Sequence, residues 1–319
     1  MWQEFPEVLK ELKPKVHAKL CEYLPDPDST WVPEHWYAVR DYPDRQGKYG
    51  RPALVLITCE MLGGNVDEAL LTAAAMQTSE NWILGHDDIE DKSNWRRHLP
   101  TLHRSFGLNV ALNAGDTLHM VMWKMLRDNF EVLEGTTARR VFDLMYRHLT
   151  TTTEGQYYEE SWIKYGKVDM TEEDYYRLVD TKTGGYTFIL PMQLGPAVAG
   201  VDDATLRGLK EVGIPFGRSF QIRDDVMNLT VSRKKQGKER GGDILEGKRT
   251  LVLVHLLGAL EKKREFSKRN AVVGIYRQPR EAKTQEDRDF VLGLMEEYGS
   301  IEYAQSQAER YGIEAMKLA

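Results

Sequence analysis

The chain has 319 residues, of which 41% are hydrophobic and 29% are charged, and its formal net charge is −6. This length and hydrophobic content are enough for a large buried core, and the negative charge excludes the broad basic surface typical of nucleic-acid binding. Two cysteines, Cys21 and Cys59, cannot build a disulfide framework, which indicates a reducing, cytoplasmic location.

The N-terminal sequence MWQEFPEVLKELK lacks the basic and apolar regions of a secretory signal, and no apolar stretch is as long as a membrane span. We therefore expect neither secretion nor a transmembrane segment. Residues 1–45 are predicted to form an irregular or helical N-terminal segment, in which Pro and Asp make 29–44 an irregular connection.

Most of the chain carries apolar residues at spacings of three and four, which is typical of helices that bury one face. Because no segment shows the convincing alternation of a half-buried strand, we predict an all-α bundle around a central cavity, in a single domain over 1–319. The strongly charged stretch 261–288 predicts a surface loop. The predicted helical segments are 52–62, 66–89, 108–129, 137–162, 173–194 and 204–231.

Two acidic clusters are the most informative feature of the chain. The first reads DDIED over residues 87–91, and the second reads DDVMN over residues 224–228. The i, i+1, i+4 spacing turns the polar side chains toward roughly one side of a helix, where they repel one another unless a cation lies between them. Because carboxylate oxygens suit Mg2+ that is shared with phosphates, the clusters predict a site that holds a diphosphate through magnesium.

Basic residues recur around these clusters. GKYGRP at 47–52 precedes the first cluster and Arg96-Arg97 follows it, while KTG at 182–184 lies between the clusters and Lys238 and Lys248 follow the second. Arg binds a phosphate as a two-pronged donor and Lys binds it as a point charge. The spacing of these cations is what two polyphosphate groups would require.

These ordered blocks closely resemble those of the trans-isoprenyl diphosphate synthases. The resemblance runs from about residue 47 to residue 250, and continues more loosely beyond it. It implies the isoprenoid synthase fold, a homodimer, three Mg2+ ions per active site, and isopentenyl diphosphate and an allylic diphosphate as substrates. The blocks that carry it are GKYGRP, GHDDIEDKSNWRRHLPTLH, Gly115-Asp116, EGQYYE, KTGG, FQIRDDVMNL and GKERGGDILEGKRT.

The resemblance also implies roles for individual residues. The expected metal contacts are Asp87, Asp88, Asp91, Asp224, Asp225 and Asn228, which stands where the family usually has an aspartate. The expected contacts to the allylic diphosphate are Arg96, Lys182, Gln221, Lys238 and Lys248, and those to isopentenyl diphosphate are Lys48, Arg51 and Arg97. Thr183, Tyr186 and Gln156 are expected to line the reaction zone. The expected catalytic residues are Asp87, Asp88, Asp91, Lys182 and Asp224.

Glu80 departs from the family pattern, which usually has His or Gln as a contact to isopentenyl diphosphate at this position. A carboxylate roughly 4 Å from a diphosphate would cost about 4 kcal/mol at an effective dielectric near 20. The alternative is a salt bridge from Glu80 to Lys48, Arg51 or Arg97, which would order the pocket. Glu159, in place of the usual Asp, is a milder change.

Trp82 lies five positions before Asp87, about 7–8 Å along the helix axis, with the aliphatic Ile83 beside it. In the family an aromatic at this position accompanies twenty-carbon products, so Trp82 and Ile83 are the expected chain-length residues. His86 and His119 are expected to be structural, because a neutral imidazole is a poor ligand for Mg2+.

The sequence therefore predicts a short-chain prenyltransferase that makes geranylgeranyl diphosphate. Three alternatives remain open at this stage. They are a farnesyl diphosphate synthase, a terpene synthase-like enzyme that ionises an allylic diphosphate without elongating it, and a non-catalytic binding subunit.

Overall fold

The structure, a computed structural model, describes residues 5–231 and 240–319 and confirms the all-α prediction. The long helices are α1 (Phe5–Cys21), α2 (Pro33–Arg45), α3 (Gly50–Met61), α4 (Val66–Glu90), α6 (Leu108–Val132), α7 (Gly135–Lys164), α10 (Asp203–Thr230), α12 (Leu251–Lys262), α13 (Phe266–Arg277), α14 (Gln285–Glu297) and α15 (Ser300–Leu318). The short elements are α5 (Leu102–Ser105), α8 (Glu172–Leu178), α9 (Leu190–Val198), α11 (Gly242–Glu246), β1 (Trp95–Arg96), β2 (Leu99–Pro100), a π-helix (Val179–Ile189) and 3-10 turns at Pro27–Ser29 and Arg280–Ala282.

The chain divides into two compact units. The first unit contains the chain up to Arg147 together with Leu190–Lys210, and the second contains His148–Ile189 and Glu211–Ala319. The predicted single domain over 1–319 stays a prediction. In the part of the chain that the structure describes, no helix has the length and hydropathy of a membrane span.

In the first unit, α4 packs against α1, α3 and α6. Asn65 starts α4 because its side chain accepts a hydrogen bond from the Asp67 amide, and the small buried run Ala73-Ala74-Ala75 lets neighbouring helices approach closely. Helix α9 lies even closer to α3, since a Cβ at Gly195 would stand 2.0 Å from the Val55 carbonyl oxygen. Close packing on several sides fixes α4, whose C-terminal end carries the first acidic cluster.

In the second unit, α12 forms the centre of the core. Leu251, Leu253, Leu256 and Leu260 are fully buried, in one hydrophobic cluster with residues of α8, α10, α13, α14 and α15. Thr250 caps the start of this helix by accepting a hydrogen bond from the Leu253 amide. This core supports α10, which carries the second acidic cluster.

Three predictions of local structure were wrong. Residues 29–44 are not an irregular connection, because α2 begins at Pro33, and a proline in the first turn favours a helix. Segment 173–194 is not one helix but α8, the π-helix and α9. A short antiparallel hairpin of β1 and β2 occurs where no strand was expected. The charged stretch 261–288 holds α13, so its loop is confined to the connection before α14.

Candidate functional site

The first acidic cluster lies at the C-terminal end of α4. Asp87 and Asp88 are in the last turn and Asp91 is the C-cap residue. Asp87 and Asp91 are partly exposed, whereas Asp88 is fully buried. Carboxylates at this end add to the negative end of the helix dipole. A bound cation would relieve both this effect and their mutual repulsion.

Asp88 is held by two protein donors. The Tyr42 hydroxyl donates to its Oδ2 at 2.5 Å, and the Arg96 guanidinium forms a fork in which Nη2 lies 2.6 Å from Oδ1 and Nε lies 2.9 Å from Oδ2. Burial alone would lower the pKa of Arg96, but the hydrogen bonds and charge of Asp88 raise it above its ordinary value. Both oxygens of Asp88 therefore have partners, and its role as a metal contact stays a prediction.

The hairpin after α4 positions the two arginines. Arg97 and His98 form the turn between β1 and β2 with φ values of 53° and 66°, as a two-residue type I′ turn requires. Arg97 then donates to the Tyr42 carbonyl and, at 3.3 Å, to Asn81 Oδ1. A Cβ at Gly47 would lie 2.6 Å from Arg97 Nη2, so the first glycine of GKYGRP leaves room for this guanidinium.

Glu80 forms a salt bridge with Arg51, which was one of the two possibilities that the sequence left open for it. Its Oε1 lies 3.1 Å from Arg51 Nη1, and both side chains are largely buried. Its Oε2 is buried with no hydrogen-bond partner in the described parts of the chain. Arg51, a residue predicted to bind a diphosphate, thus neutralises the negative charge of Glu80. Lys48, another predicted ligand, is exposed.

An aromatic stack surrounds the predicted chain-length position. Trp82 is buried and stacks on His119, with ring centroids 4.0 Å apart and an angle of 12° between the planes. Trp123 Nε1 donates to His119 Nε2 at 2.7 Å, and burial lowers the pKa of His119. The imidazole is therefore neutral and fixed against Trp82. Sequence reasoning missed Trp123, although its spacing of four residues from His119 on α6 was available as a signal.

His86 fits beside the first cluster because of a glycine. A Cβ at Gly115 would lie 2.3 Å from His86 Nε2, which itself lies 3.3 Å from the Leu112 carbonyl oxygen and 3.8 Å from Asp116 Oδ1. Glycine at position 115 thus leaves the space that the His86 ring occupies.

The second acidic cluster lies near the C-terminal end of α10. Asp224 is half-buried, and Asp225 is buried. Tyr175 donates its hydroxyl to Asp225 Oδ2 at 2.8 Å, and Gln221 donates to Oδ1 at 2.7 Å. Burial raises the pKa of Asp225 to about 7, although both hydrogen bonds oppose the shift. Gln221 was expected to contact substrate, and that role stays a prediction.

Asn228, the last residue of the second cluster, has a local structural role. Its Oδ1 accepts a hydrogen bond from the Asp243 amide at 3.2 Å, and its carbonyl accepts one from Gly241 at 2.8 Å. It therefore helps to start α11. Its metal contact stays a prediction.

Lys182 lies in the π-helix, an arrangement that is frequent at functional sites. Its Nζ forms an ion pair with Glu159 Oε2 at 2.5 Å. A Cβ at Gly155 would stand 2.7 Å from the Lys182 amide nitrogen, and one at Gly217 would stand 2.5 Å from the Gly184 Cα. Glycines in the EGQYYE and KTGG blocks therefore permit close packing around Lys182.

The remaining predicted ligands of the second unit are placed as follows. Lys248 Nζ lies 3.5 Å from Glu246 Oε2, and Thr183 is partly buried beside Lys182. Lys238 lies outside the described residues. The carboxylates of Asp87, Asp91 and Asp224 are partly exposed, and carboxylate oxygens are of the kind that suits Mg2+.

Comparisons with known proteins identify the family and the fold that the chain resembles. The family described as polyprenyl synthetase matches residues 34–288. The geranylgeranyl diphosphate synthase of Sulfolobus acidocaldarius is 31% identical over 83% of this chain and 77% of its own length. The geranylfarnesyl diphosphate synthase of Aeropyrum pernix is 32% identical over 83% of this chain and 80% of its own. The crystal structure of a geranylgeranyl pyrophosphate synthetase from Pyrococcus horikoshii superposes with a TM-score of 0.86 at 29% identity, covering 99% of this chain and 92% of that one.

Proposed function

We propose that this chain, which belongs to the polyprenyl synthetase family and is a trans-prenyltransferase, adds isopentenyl diphosphate to allylic diphosphates and releases geranylgeranyl diphosphate. The observation that supports the proposal most is the arrangement at the end of α4. Asp87 and Asp91 are both partly exposed, and Asp87 Oδ2 lies 3.6 Å from Nη2 of Arg96, which Asp88 holds in place. Such a group can bind a diphosphate both through metal ions and directly.

The chain's own residues prepare the first step, in which the bond between the allylic carbon and the diphosphate oxygen breaks. Asp87, Asp91 and Asp224 would hold Mg2+, and we propose three ions, which would stabilise the charge that develops on the leaving diphosphate. Arg96, Lys182 and Lys248 add fixed positive charge for that leaving group. The ion pairs of Lys182 with Glu159 and of Arg96 with Asp88 keep both cations in defined positions.

The second step joins the substrates. Lys48, Arg51 and Arg97 would bind isopentenyl diphosphate, whose double bond supplies the electron pair for the new carbon–carbon bond. A proton then leaves the resulting cation, and the released diphosphate can accept it, so no side-chain base is required. Glu80 fixes Arg51 for this task through their salt bridge. The repulsion considered for Glu80 is offset by that partner, so non-elongating chemistry loses its main support.

Product length follows from the stack of Trp82 on His119. Trp82 stands about one and a half helical turns before Asp87, and its indole is backed by His119 and Trp123. A large and rigid group at this distance would end the growing chain after a few isoprene units. This supports geranylgeranyl diphosphate rather than a longer product.

The direct test is incubation with Mg2+, isopentenyl diphosphate and each allylic diphosphate in turn, followed by mass analysis of the products. We expect the twenty-carbon diphosphate from farnesyl diphosphate and from shorter starters. A fifteen-carbon end product would favour a farnesyl diphosphate synthase, and consumption of the allylic substrate alone would overturn the proposal.

We also propose that the protein is a cytoplasmic homodimer. Helix α6 exposes the large apolar side chains Leu108, Leu112, Met120 and Phe130, which a second copy would cover. Light scattering of the purified protein should give twice the mass of 36.7 kDa. A monomer at micromolar concentration would contradict this part of the proposal.

A further inference from the structure

A cluster of three possible metal ligands lies in the first unit. His17 and Cys21 are four residues apart on α1 and therefore share one face. Asp44, in the last turn of α2, faces them. One ligand atom from each residue can be chosen so that all three lie within 4.8 Å of one another.

We propose that His17, Cys21 and Asp44 bind a zinc ion, with water in the fourth position. A thiolate sulfur, an imidazole nitrogen and a carboxylate oxygen form a ligand set that zinc accepts and magnesium does not favour. Bonds of about 2.0–2.3 Å in a tetrahedron place neighbouring ligand atoms roughly 3.3–3.8 Å apart. The observed distance from Cys21 Sγ to His17 Nε2 is 3.6 Å.

The other ring nitrogen of His17, Nδ1, has the kind of hydrogen-bond partner that is common in zinc sites. Zinc-binding histidines usually donate their other ring N–H to a fixed oxygen. His17 Nδ1 lies 2.9 Å from the hydroxyl of Tyr49, which is buried. This contact directs Nε2 toward Cys21.

The surrounding charges are compatible with a bound cation. Arg40 donates to both oxygens of Asp44 at 3.2 Å, but each carboxylate oxygen keeps a lone pair for a metal. Burial raises the pKa of the Cys21 thiol, and zinc would displace its proton on binding. The thiolate and the carboxylate then supply two negative charges next to the ion, and Arg40 shares the charge of Asp44.

The site would fasten α1 to the segment that enters α3. Tyr49, the partner of His17, lies between Lys48 and Arg51 and has a left-handed backbone with φ of 58°. This functional consequence rests on the proposed function: zinc binding should lower the KM for isopentenyl diphosphate. The metal site itself does not depend on prenyl transfer.

The test is titration of the full-length, chelator-treated protein with Co2+ in excess Mg2+, which occupies the carboxylate clusters. Cobalt bound to a thiolate gives a sulfur-to-metal charge-transfer band that carboxylate-bound cobalt lacks. We expect one equivalent of Co2+ to produce this band, one equivalent of Zn2+ to remove it, and Cys21→Ser to abolish it.

Two variants make the test specific. Tyr49→Phe keeps all three ligands and should weaken metal affinity about tenfold by removing the oriented hydrogen bond. Cys59→Ser changes the other cysteine, which is buried elsewhere in the first unit, and should leave the band intact. Absence of the band in the folded parent, or its loss in Cys59→Ser, would overturn the zinc site. A normal band in a protein that does not elongate would overturn only the proposed function.

Discussion

The two acidic clusters share a sequence pattern but stabilise their buried carboxylate differently. In the first cluster Asp88 is paired with the Arg96 guanidinium and the Tyr42 hydroxyl. In the second cluster Asp225 is hydrogen-bonded by two neutral donors, the Tyr175 hydroxyl and the Gln221 amide. Consequently the charge of Asp88 is neutralised by a cation, whereas burial raises the pKa of Asp225 to about 7. The same Asp-Asp sequence therefore occurs in two different electrostatic environments.

The largest expected effect concerns the metal-binding role that is proposed for both clusters. Asp87→Ala and Asp224→Ala should each lower kcat by orders of magnitude, about 10²–10³-fold or more, because each removes stabilisation of the leaving diphosphate. Folding should change much less, since removal of one carboxylate also relieves repulsion. The control is steady-state kinetics of Glu90→Ala, since Glu90 is an exposed acid on α4, the helix of Asp87. Activity within a few-fold of the parent in either Asp variant would contradict the assignment.

The second prediction concerns the charged pair of the first cluster. Asp88→Asn should lower the free energy of unfolding by at most about 3–5 kcal/mol, because it removes the main counter-charge of the buried Arg96 and leaves it the longer 3.6 Å pair with Asp87. Urea denaturation of the metal-free protein measures the change, with the exposed Glu90→Gln as the matched control. A loss below about 1 kcal/mol would show that Arg96 behaves as a surface cation.

The third prediction concerns the second cluster, where the corresponding substitution should raise the free energy of unfolding. An acid whose pKa is raised on folding binds more protons in the native state, so the metal-free protein should lose stability as the pH rises from about 4 to about 7. Asp225→Asn keeps both hydrogen bonds, since the Tyr175 hydroxyl can also accept. It should remove this slope and add at most about 4 kcal/mol above pH 7.

Denaturation at several pH values, with parent and variant side by side, checks this prediction. Equal slopes in the two proteins would mean that Asp225 is charged throughout the range.

The residues five positions before each cluster also differ. Trp82 precedes Asp87 and stacks on His119, whereas Ser219 precedes Asp224 and donates its hydroxyl to the Ala308 carbonyl at 2.8 Å. Trp82→Ala should therefore lengthen the product by one or more isoprene units. Ser219→Ala should leave product length unchanged at a cost of about 1 kcal/mol in stability. Mass analysis that shows the same product for parent and Trp82→Ala would place the length-limiting wall elsewhere.

The smallest expected effect concerns Glu80, which belongs to neither acidic cluster and whose proposed role is to order Arg51 for the acceptor substrate. Glu80→Gln and Glu80→His should both raise the KM for isopentenyl diphosphate a few-fold, since Arg51 loses its ordering partner. The KM for the allylic substrate should change little. Tighter binding of isopentenyl diphosphate in Glu80→His would restore the repulsion hypothesis.

The sequence was informative where a pattern is local. Apolar spacing located α3, α4, α6, α7 and α10 to within a few residues, because helices that bury one face repeat every three to four positions. Local composition misled at α2, where proline and aspartate suggested a turn but Pro33 begins a helix. It could not reveal the π-helix, because the change to i→i+5 hydrogen bonds leaves no clear mark in composition.

Contacts between distant residues were beyond the reach of sequence patterns. Asp88 and Tyr42 are 46 positions apart, and Asp225 and Tyr175 are 50 apart. Helical spacing placed the acids of each cluster on roughly one side, but burial separates Asp88 from Asp87 and Asp225 from Asp224. Only the folded chain shows that Asp88 meets Tyr42 and Arg96, whereas Asp225 meets Tyr175 and Gln221.

The most direct test of the account is a reaction of farnesyl diphosphate with isotope-labelled isopentenyl diphosphate, with and without Mg2+, followed by mass spectrometry. We predict a twenty-carbon diphosphate that carries a single labelled unit and forms only when Mg2+ is present. Formation of that product without any divalent metal, or release of unlabelled products from farnesyl diphosphate alone, would contradict it.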